Sequence, residues 1–314
     1  MKNKVNCLKI FKIIAIIYAA IIVVGISCSL IFGLQLDINF KGGTRFTYTY
    51  TGDIDLAKAK TVIESKLSNQ KVNVTTSEGL NSSNKKMVVT LASDKAVDVN
   101  TQTNILKELQ NSFKNNKIEI GDSNSVNPTV AGSFFLKSLY AVLIASLIVL
   151  LYVGIRFRKI GGLSAGVTAL LALILDCLVA FFVCVIFRLE IDTNFMAVIL
   201  TILGYSLNDT IVIYDRIREN NKLMPGSTLE ERVNTSLSQC LGRSIMTSVT
   251  TLIAILTVVV VSEFFGLTTL RSFAIPMAFG IVSGCVSSLF IAVPTWLLWQ
   301  NKKSLKKSKN KNKK

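Results

Sequence analysis

The sequence contains no histidine. That absence removes Ser-His-Asp and Cys-His catalysis, imidazole metal ligation and the imidazole proton shuttle. Charge is scarce as well, at 17% of residues against about a quarter in a soluble domain. Acidic charge is scarcest, with 19 Asp and Glu against 35 Lys and Arg, a formal net charge of +16. Six cysteines are present, none of them between residues 35 and 133, and their spacing fits neither a disulfide framework nor a thiolate metal site. Neither a Walker A sequence nor a Gly-x-Gly-x-x-Gly occurs, so no nucleotide site is readable. Work done by such a chain draws on an ion gradient, where one charge crossing 100 mV yields about 2.3 kcal/mol. No enzyme active site, cofactor or metal is expected.

What is abundant is apolar sequence, half of all residues. Six runs are long enough to cross the hydrocarbon: Ile13 to Gly33, Leu139 to Ile155, Leu163 to Phe187, Phe195 to Tyr214, Leu241 to Val261 and Ile275 to Leu298. The first is too long for a secretory signal, and no Ala-x-Ala site follows it. The expected fold class is a multi-span α-helical membrane protein of six transmembrane helices. One external α+β domain, ferredoxin-like, lies between spans one and two.

Lysine and arginine set the orientation. They cluster before the first span (Lys2, Lys4, Lys9, Lys12), after the second (Arg156, Arg158, Lys159) and around the fourth connection (Arg216, Arg218, Lys222, Arg232, Arg243). Eight lysines follow Trp299. Both termini are therefore expected on the cytoplasmic face of a plasma membrane, with residues 35–133 outside. The chain divides into an N-terminus and first span (1–34), the external domain (35–133), spans two to six (134–299) and a basic tail (300–314). The tail reads first as an anchor to anionic membrane lipid rather than a contact for ribosomal RNA or an acidic partner. Nucleic acid is not expected as a partner.

The external segment alternates strand and helix patterns. Arg45 to Tyr50 reads as a strand and Asp55 to Leu67 as a helix capped by Asp53 or Asp55. Val72 to Thr76 and Met87 to Leu91 read as strands joined by a turn at Asn81 to Asn84. Val97 to Phe113 reads as a second helix, Ile118 to Ile120 as a last short strand. The order suits a split βαβ unit. Gly42 and Gly43, where the first span meets this domain, are hinge candidates, with a strand-entry turn as the plainer reading.

A charge inside a span costs roughly 2.5–3.5 kcal/mol on the insertion scale and is a functional hypothesis by default. Asp209 lies about five residues from the cytoplasmic end of the fourth span, beside a polar stripe of Thr201, Tyr205 and Asn208 expected to face other helices or water. Arg243 opens the fifth span at a compatible depth, sharing a face with Thr247 and Thr250. It either pairs with Asp209 or snorkels to the headgroups. Asp176, near the middle of the third span, reads as a proton relay station or as a neutral hydrogen-bonded acid. Gly280 and Gly284, with Ser283 and Ser287 nearby, read as a helix-packing motif. Asp215, Arg216, Arg218 and Glu219 read as an ion-pair cluster.

The run Gly204-Tyr205-Ser206-Leu207-Asn208-Asp209-Thr210, continuing through Asp215-Arg216-Ile217-Arg218-Glu219-Asn220, closely resembles the fourth-span signature of the SecF family of protein-export membrane proteins. Leu241-Gly242-Arg243-Ser244 with Thr247, Ser248, Thr250 and Thr251 resembles its fifth-span Arg motif. Asp37 to Thr44 and Val126 to Val130 resemble the motifs that flank its external domain. Asn39, Asn127 and Leu175 stand where the family usually has Asp, Gly and His. The resemblance implies half of a resistance–nodulation–division architecture, completed by six spans of SecD. It implies association with the SecYEG channel and YajC, and use of the proton motive force to draw unfolded exported polypeptide outward. Asp209 would be the proton-carrying acid, Arg243 its switchable partner. A carboxylate can also bind sodium. The alternatives are a half-size exporter of lipids or amphiphiles, and a passive translocon scaffold.

Overall fold

The structure, a computed structural model, describes residues 7–67, 72–77, 85–91, 97–114, 116–126 and 128–311. Lys2, Lys4, the expected turn at Asn81 to Asn84, Asn127 of the second flanking motif and the last two lysines lie outside these.

Among the described residues, six helices are long and apolar enough to span a membrane. They are α1 (Cys7–Phe32), α5 (Pro128–Arg156), α6 (Gly162–Ile186), α7 (Thr193–Leu223), α8 (Leu229–Phe265) and a last rod made of α9 (Thr268–Ser287), a π-helical turn (Ser288–Ala292) and α10 (Val293–Lys311). Apolar runs become helices here because hydrocarbon offers backbone amides no partner but one another. All but α6 reach past their apolar runs into polar sequence. The fifth begins twelve residues earlier than hydropathy places it, at a Thr228–Glu231 capping box. Helix α7 starts on Asp192, whose carboxylate accepts from Phe195 N at 3.1 Å. Helices α6, α7 and α9 form the buried centre, while α1, α5 and α8 keep most of their apolar surface outside.

Between α1 and α5 stands a small α+β unit. Its elements are α2 (Ile38–Lys41), β1 (Gly43–Tyr50), α3 (Leu56–Lys66), β2 (Val72–Ser77), β3 (Lys85–Leu91), α4 (Val99–Ser112) and β4 (Ile118–Val126). The sheet is antiparallel throughout, in the order β2-β3-β1-β4. Phe46, Tyr48 and Tyr50 alternate onto one face and bury against Ala59 and Ile63 of α3 and Ile105 and Leu109 of α4. Asp55 is the cap of α3, accepting from Ala57 N and Lys58 N, while Asp53 pairs with Lys85 at 2.6 Å. Strand β4 runs six residues beyond the predicted end at Ile120. A bulge opposite Thr47 lets its polar half, Gly121 to Val126, keep pairing with β1. That half has little apolar alternation, so periodicity could not find it.

The unit joins the bundle through a short tether. Leu36 forms a parallel bridge with Ile191 from the α6–α7 connection, with Asp37 N to Ile191 O at 3.1 Å and Ile191 N to Gln35 O at 2.8 Å. Gly42 (φ +77°) and Gly43 (φ +129°) make the turn into β1, a backbone that side-chain-bearing residues rarely adopt.

Candidate functional site

The charged residues inside the spans fall into two neighbouring places. The first is Asp209 on α7. Its side chain is buried, no group meets its Oδ2 with hydrogen-bond geometry, and the Ser244 hydroxyl of α8 acts on the carboxylate. Arg243 acts on the same carboxylate from the start of the apolar part of α8 but forms no ion pair with it. The guanidinium instead lines an open cavity of about 460 Å³ with Arg156, Asp215, Arg216, Glu219 and Gln239. Around that cavity Arg218 and Arg156 meet Asp215 at 2.6 and 3.2 Å, and Arg216 meets Glu219 at 2.6 Å. The ion-pair cluster expected there is present. Its carboxylates are paired with Arg156, Arg218 and Arg216, and Arg243 shares the same polar mouth without an ion pair of its own.

The polar stripe beside Asp209 does not face inward. Thr201, Asn208, Arg243 and Thr250 are exposed on the outer surface, while Ile202, Ser206, Asp209 and Thr210 turn toward the centre. The reason is angular: Asp209 follows Asn208 by about 100° around the helix, so the two side chains leave on different faces. Tyr205 is half-buried, its hydroxyl 3.3 Å from Ser248 Oγ. Thr247 returns its hydroxyl to the carbonyls of Arg243 and Ser244 on its own helix, each at 3.0 Å.

The second place is Asp176, completely buried at the middle of α6. Three serines donate to it: Ser206 of α7 and Ser287 of α9 to Oδ2, both at 2.8 Å, and Ser283 of α9 to Oδ1 at 2.6 Å. Ser288 in the π-helical turn carries the network on, 3.2 Å from Ser206 Oγ and 3.1 Å from Thr210 Oγ1. Tyr18 of α1 closes the other side, 2.8 Å from Ser283 Oγ and 3.0 Å from its carbonyl. Gly284 explains the close fit, since a Cβ there would stand 3.0 Å from Ser206 Cβ and 3.6 Å from Asp176 Oδ2. The glycine-serine motif of α9 is therefore the wall of a carboxylate site as well as a packing surface. Sequence reading missed Tyr18, Ser206 and Ser288. The available signal was Ser283 and Ser287 four residues apart, on the face that also carries Gly280 and Gly284. Among the described residues, no three acidic or thiol groups converge as a metal centre needs.

The family model for the protein export membrane protein SecD/SecF, C-terminal, matches residues 105–302. The chain belongs to the SecD/SecF family. The SecF translocase subunit of Alicyclobacillus acidocaldarius is 32% identical over 98% of this chain and 96% of its own. That of Sebaldella termitidis is 36% identical over 88% and 86%. The SecDF subunit of Bacillus subtilis, 33% identical, matches 95% of this chain but only 38% of its own length. The crystal structure of SecDF, a translocon-associated membrane protein from a Thermus species, superposes with a TM-score of 0.80 at 27% identity. That match takes in 96% of this chain and 39% of the longer one. A family member of this size is thus a multi-pass membrane chain that corresponds to a part of the fused SecDF relatives.

Proposed function

We propose that this chain is the SecF-like subunit of a SecD–SecF assembly, a transport component rather than an enzyme, which assists Sec-dependent protein export. SecD is the natural second half, because SecDF relatives carry both in one chain and this one matches under two fifths of it. An exposed guanidinium and threonine hydroxyls on α7 and α8 suit a surface covered by another protein rather than lipid. The SecYEG channel, with YajC, is the assembly through which the exported chain passes. The α+β unit, with its β-α-β-β-α-β order, is the external ferredoxin-like domain that meets unfolded polypeptide. Both termini lie in the cytoplasm, where the lysine tail rests on anionic lipid.

The coupling ion in this reading is the proton. One observation carries it: Asp209 is buried in an apolar span with an unpaired oxygen, within the field of an Arg243 that is not bonded to it. Such a pair has two states. An ionised Asp209 draws Arg243 inward; a protonated Asp209 releases it to the polar mouth it lines with Asp215, Glu219 and Gln239. The swing repacks α7 against α8. Asp176 is the further relay acid, and Gly42 and Gly43 permit the external domain to move. Sodium is the competing ion, and separate sodium and proton gradients tell them apart. The test is export of a secreted precursor into sealed inside-out vesicles that carry Asp209→Asn chain with its partner. Loss of the gradient-dependent part, with the complex still assembled, is expected. Unchanged gradient dependence sinks the coupling role and leaves a scaffold.

A further inference from the structure

The hydrogen bonds around Asp176 extend the proton-coupled reading, on which this inference rests. Asp176 is completely buried, three hydroxyls donate to it, and no cation is among the groups that act on it. The ionisable groups that meet this network are Tyr18 from α1, Cys177 on α6 itself and Cys285 from α9. On α7, Asp209 is the residue before Thr210, whose hydroxyl ends the serine chain. The hydroxyl oxygens already stand 2.6–2.8 Å from the carboxylate oxygens. A metal ion needs its own gap between ligand oxygens, each about 2.0–2.6 Å from it. A proton needs none.

Ser283 is the pivot, because it has one proton to give and lies between two oxygens. With Asp176 ionised, Ser283 must donate to Oδ1, and Tyr18 donates to Ser283 Oγ or to its carbonyl. With Asp176 protonated, the carboxyl donates to Ser283 Oγ. Ser283 then turns its own proton to the Tyr18 oxygen, and Tyr18 donates to the Ser283 carbonyl. One proton enters, no other is lost, and every donor keeps an acceptor. Tyr18 belongs to α1, the helix that continues through Gln35 and Leu36 into the α+β unit. We propose that Asp176, caged by Ser206, Ser283 and Ser287, is a second proton-binding site whose occupancy Ser283 and Tyr18 hand to α1. Tyr18 and Ser283 are positioning residues.

The test uses the full chain assembled with its SecD partner in lipid vesicles, followed by infrared difference spectroscopy as the pH is stepped. In chains that also carry Asp209→Asn, so that the other in-span carboxyl is removed, a protonated-carboxyl C=O band is expected to appear on acidification, to vanish when Asp176→Asn is added and to change frequency when Tyr18→Phe or Ser283→Ala is added. Tyr18→Phe keeps the ring packing, so assembly is preserved; it is expected to lower gradient-dependent export several-fold and leave gradient-independent export unchanged. A titrating band that Asp176→Asn leaves intact, or no band at all, overturns the site. A band moved by Tyr18→Phe without any change in export overturns the hand-over to α1. Loss of gradient dependence in Asp209→Asn together with a silent Asp176 removes this inference alone. Full gradient dependence in Asp209→Asn removes the coupling role of Asp209, while the infrared band still decides Asp176.

Discussion

Tyr214 shows how a single polar atom is accommodated in the bundle. Its ring is completely buried between Phe157 and Trp296, with centroids 5.7 and 5.9 Å away. Its hydroxyl sits 2.8 Å from Thr168 Oγ1 and 3.4 Å from the Ala292 carbonyl in the π-helical turn. Interhelical hydrogen bonds inside membranes average about 0.6 kcal/mol, because the unfolded chain in lipid also finds partners. Removing the hydroxyl alone is therefore cheap, and removing the ring is not. Tyr214→Phe is expected to lower unfolding free energy in mixed micelles by about 0.6–1 kcal/mol. Tyr214→Ala should cost about 3–5 kcal/mol, through the cavity between Phe157 and Trp296. Equal losses for the two variants would mean that the hydroxyl, not the packing, holds this region.

At the scale of elements, the close approaches between helices occur at glycines, and they differ in kind. A Cβ on Gly162 would run into the Gly154 carbonyl of α5, a backbone atom that cannot move aside. A Cβ on Gly280 would meet Cδ1 and Cγ1 of the Ile202 side chain, atoms that a rotamer change can shift, with Ala180 Cβ in ordinary contact at 3.9 Å. Gly162→Ala is thus expected to destabilise by about 1–3 kcal/mol, in the range of overpacked cores, and Gly280→Ala by clearly less. Thermal midpoints of the two purified variants decide the order. The same scale shows where patterns in the sequence suffice. Apolar runs placed all six long helices, strand patterns placed β1, β2 and β3, and helical patterns placed α3, with its aspartate cap, and α4. They stopped short wherever polar sequence keeps its structure through partners elsewhere. The C-terminal half of β4 is held by β1, and the first twelve residues of α8 are held partly by Asn234, Ser236 and Gln239 bonding Cys7, Asn220 and Arg216.

At the scale of the molecule, the α+β unit is fastened to the bundle by three charges. Arg45 of β1 bonds Asp37 at 2.6 Å and also pairs with Glu190 of the α6–α7 connection. Asn39 holds the other oxygen of Asp37 at 2.6 Å. Burial pushes the Glu190 carboxyl above the usual glutamate range; Arg45 opposes this and the nearby Asp37 adds to it. A raised acid binds more protons in the fastened state than when solvated. Fastening should therefore strengthen as pH falls through the raised value, and the contribution is complete below the ordinary glutamate range. Above the raised value the ionised carboxylate pays its desolvation in full. Spin-label distances between the α+β unit and α6 should tighten on mild acidification, and Glu190→Gln should abolish that slope. An identical slope in Glu190→Gln would assign it to another group. The outer polar stripe belongs to this scale as well. If SecD covers it, Thr201→Trp or Thr250→Trp should reduce co-purification with SecD at least several-fold, while Lys66→Trp in the exposed α3 leaves it unchanged.

The sequence by itself determined the class of molecule. Long apolar runs in a chain with 17% charge can satisfy their backbone in lipid only as helices, and the signature around Asp209 and Arg243 identified the family. It also pointed to the three in-span charges, because each is too costly to be incidental. Tertiary structure decided what surrounds them. Periodicity reports which residues share a face of one helix, but not which helix that face meets or how its azimuth is set. So the sequence left Asp176 without partners, while packing of α1, α6, α7 and α9 gave it three serines and, through them, Tyr18. Thr201 and Asn208, expected to face other helices or water, lie outside the chain's own bundle, because helix azimuth is fixed by the shape of neighbouring side chains and by close glycine contacts.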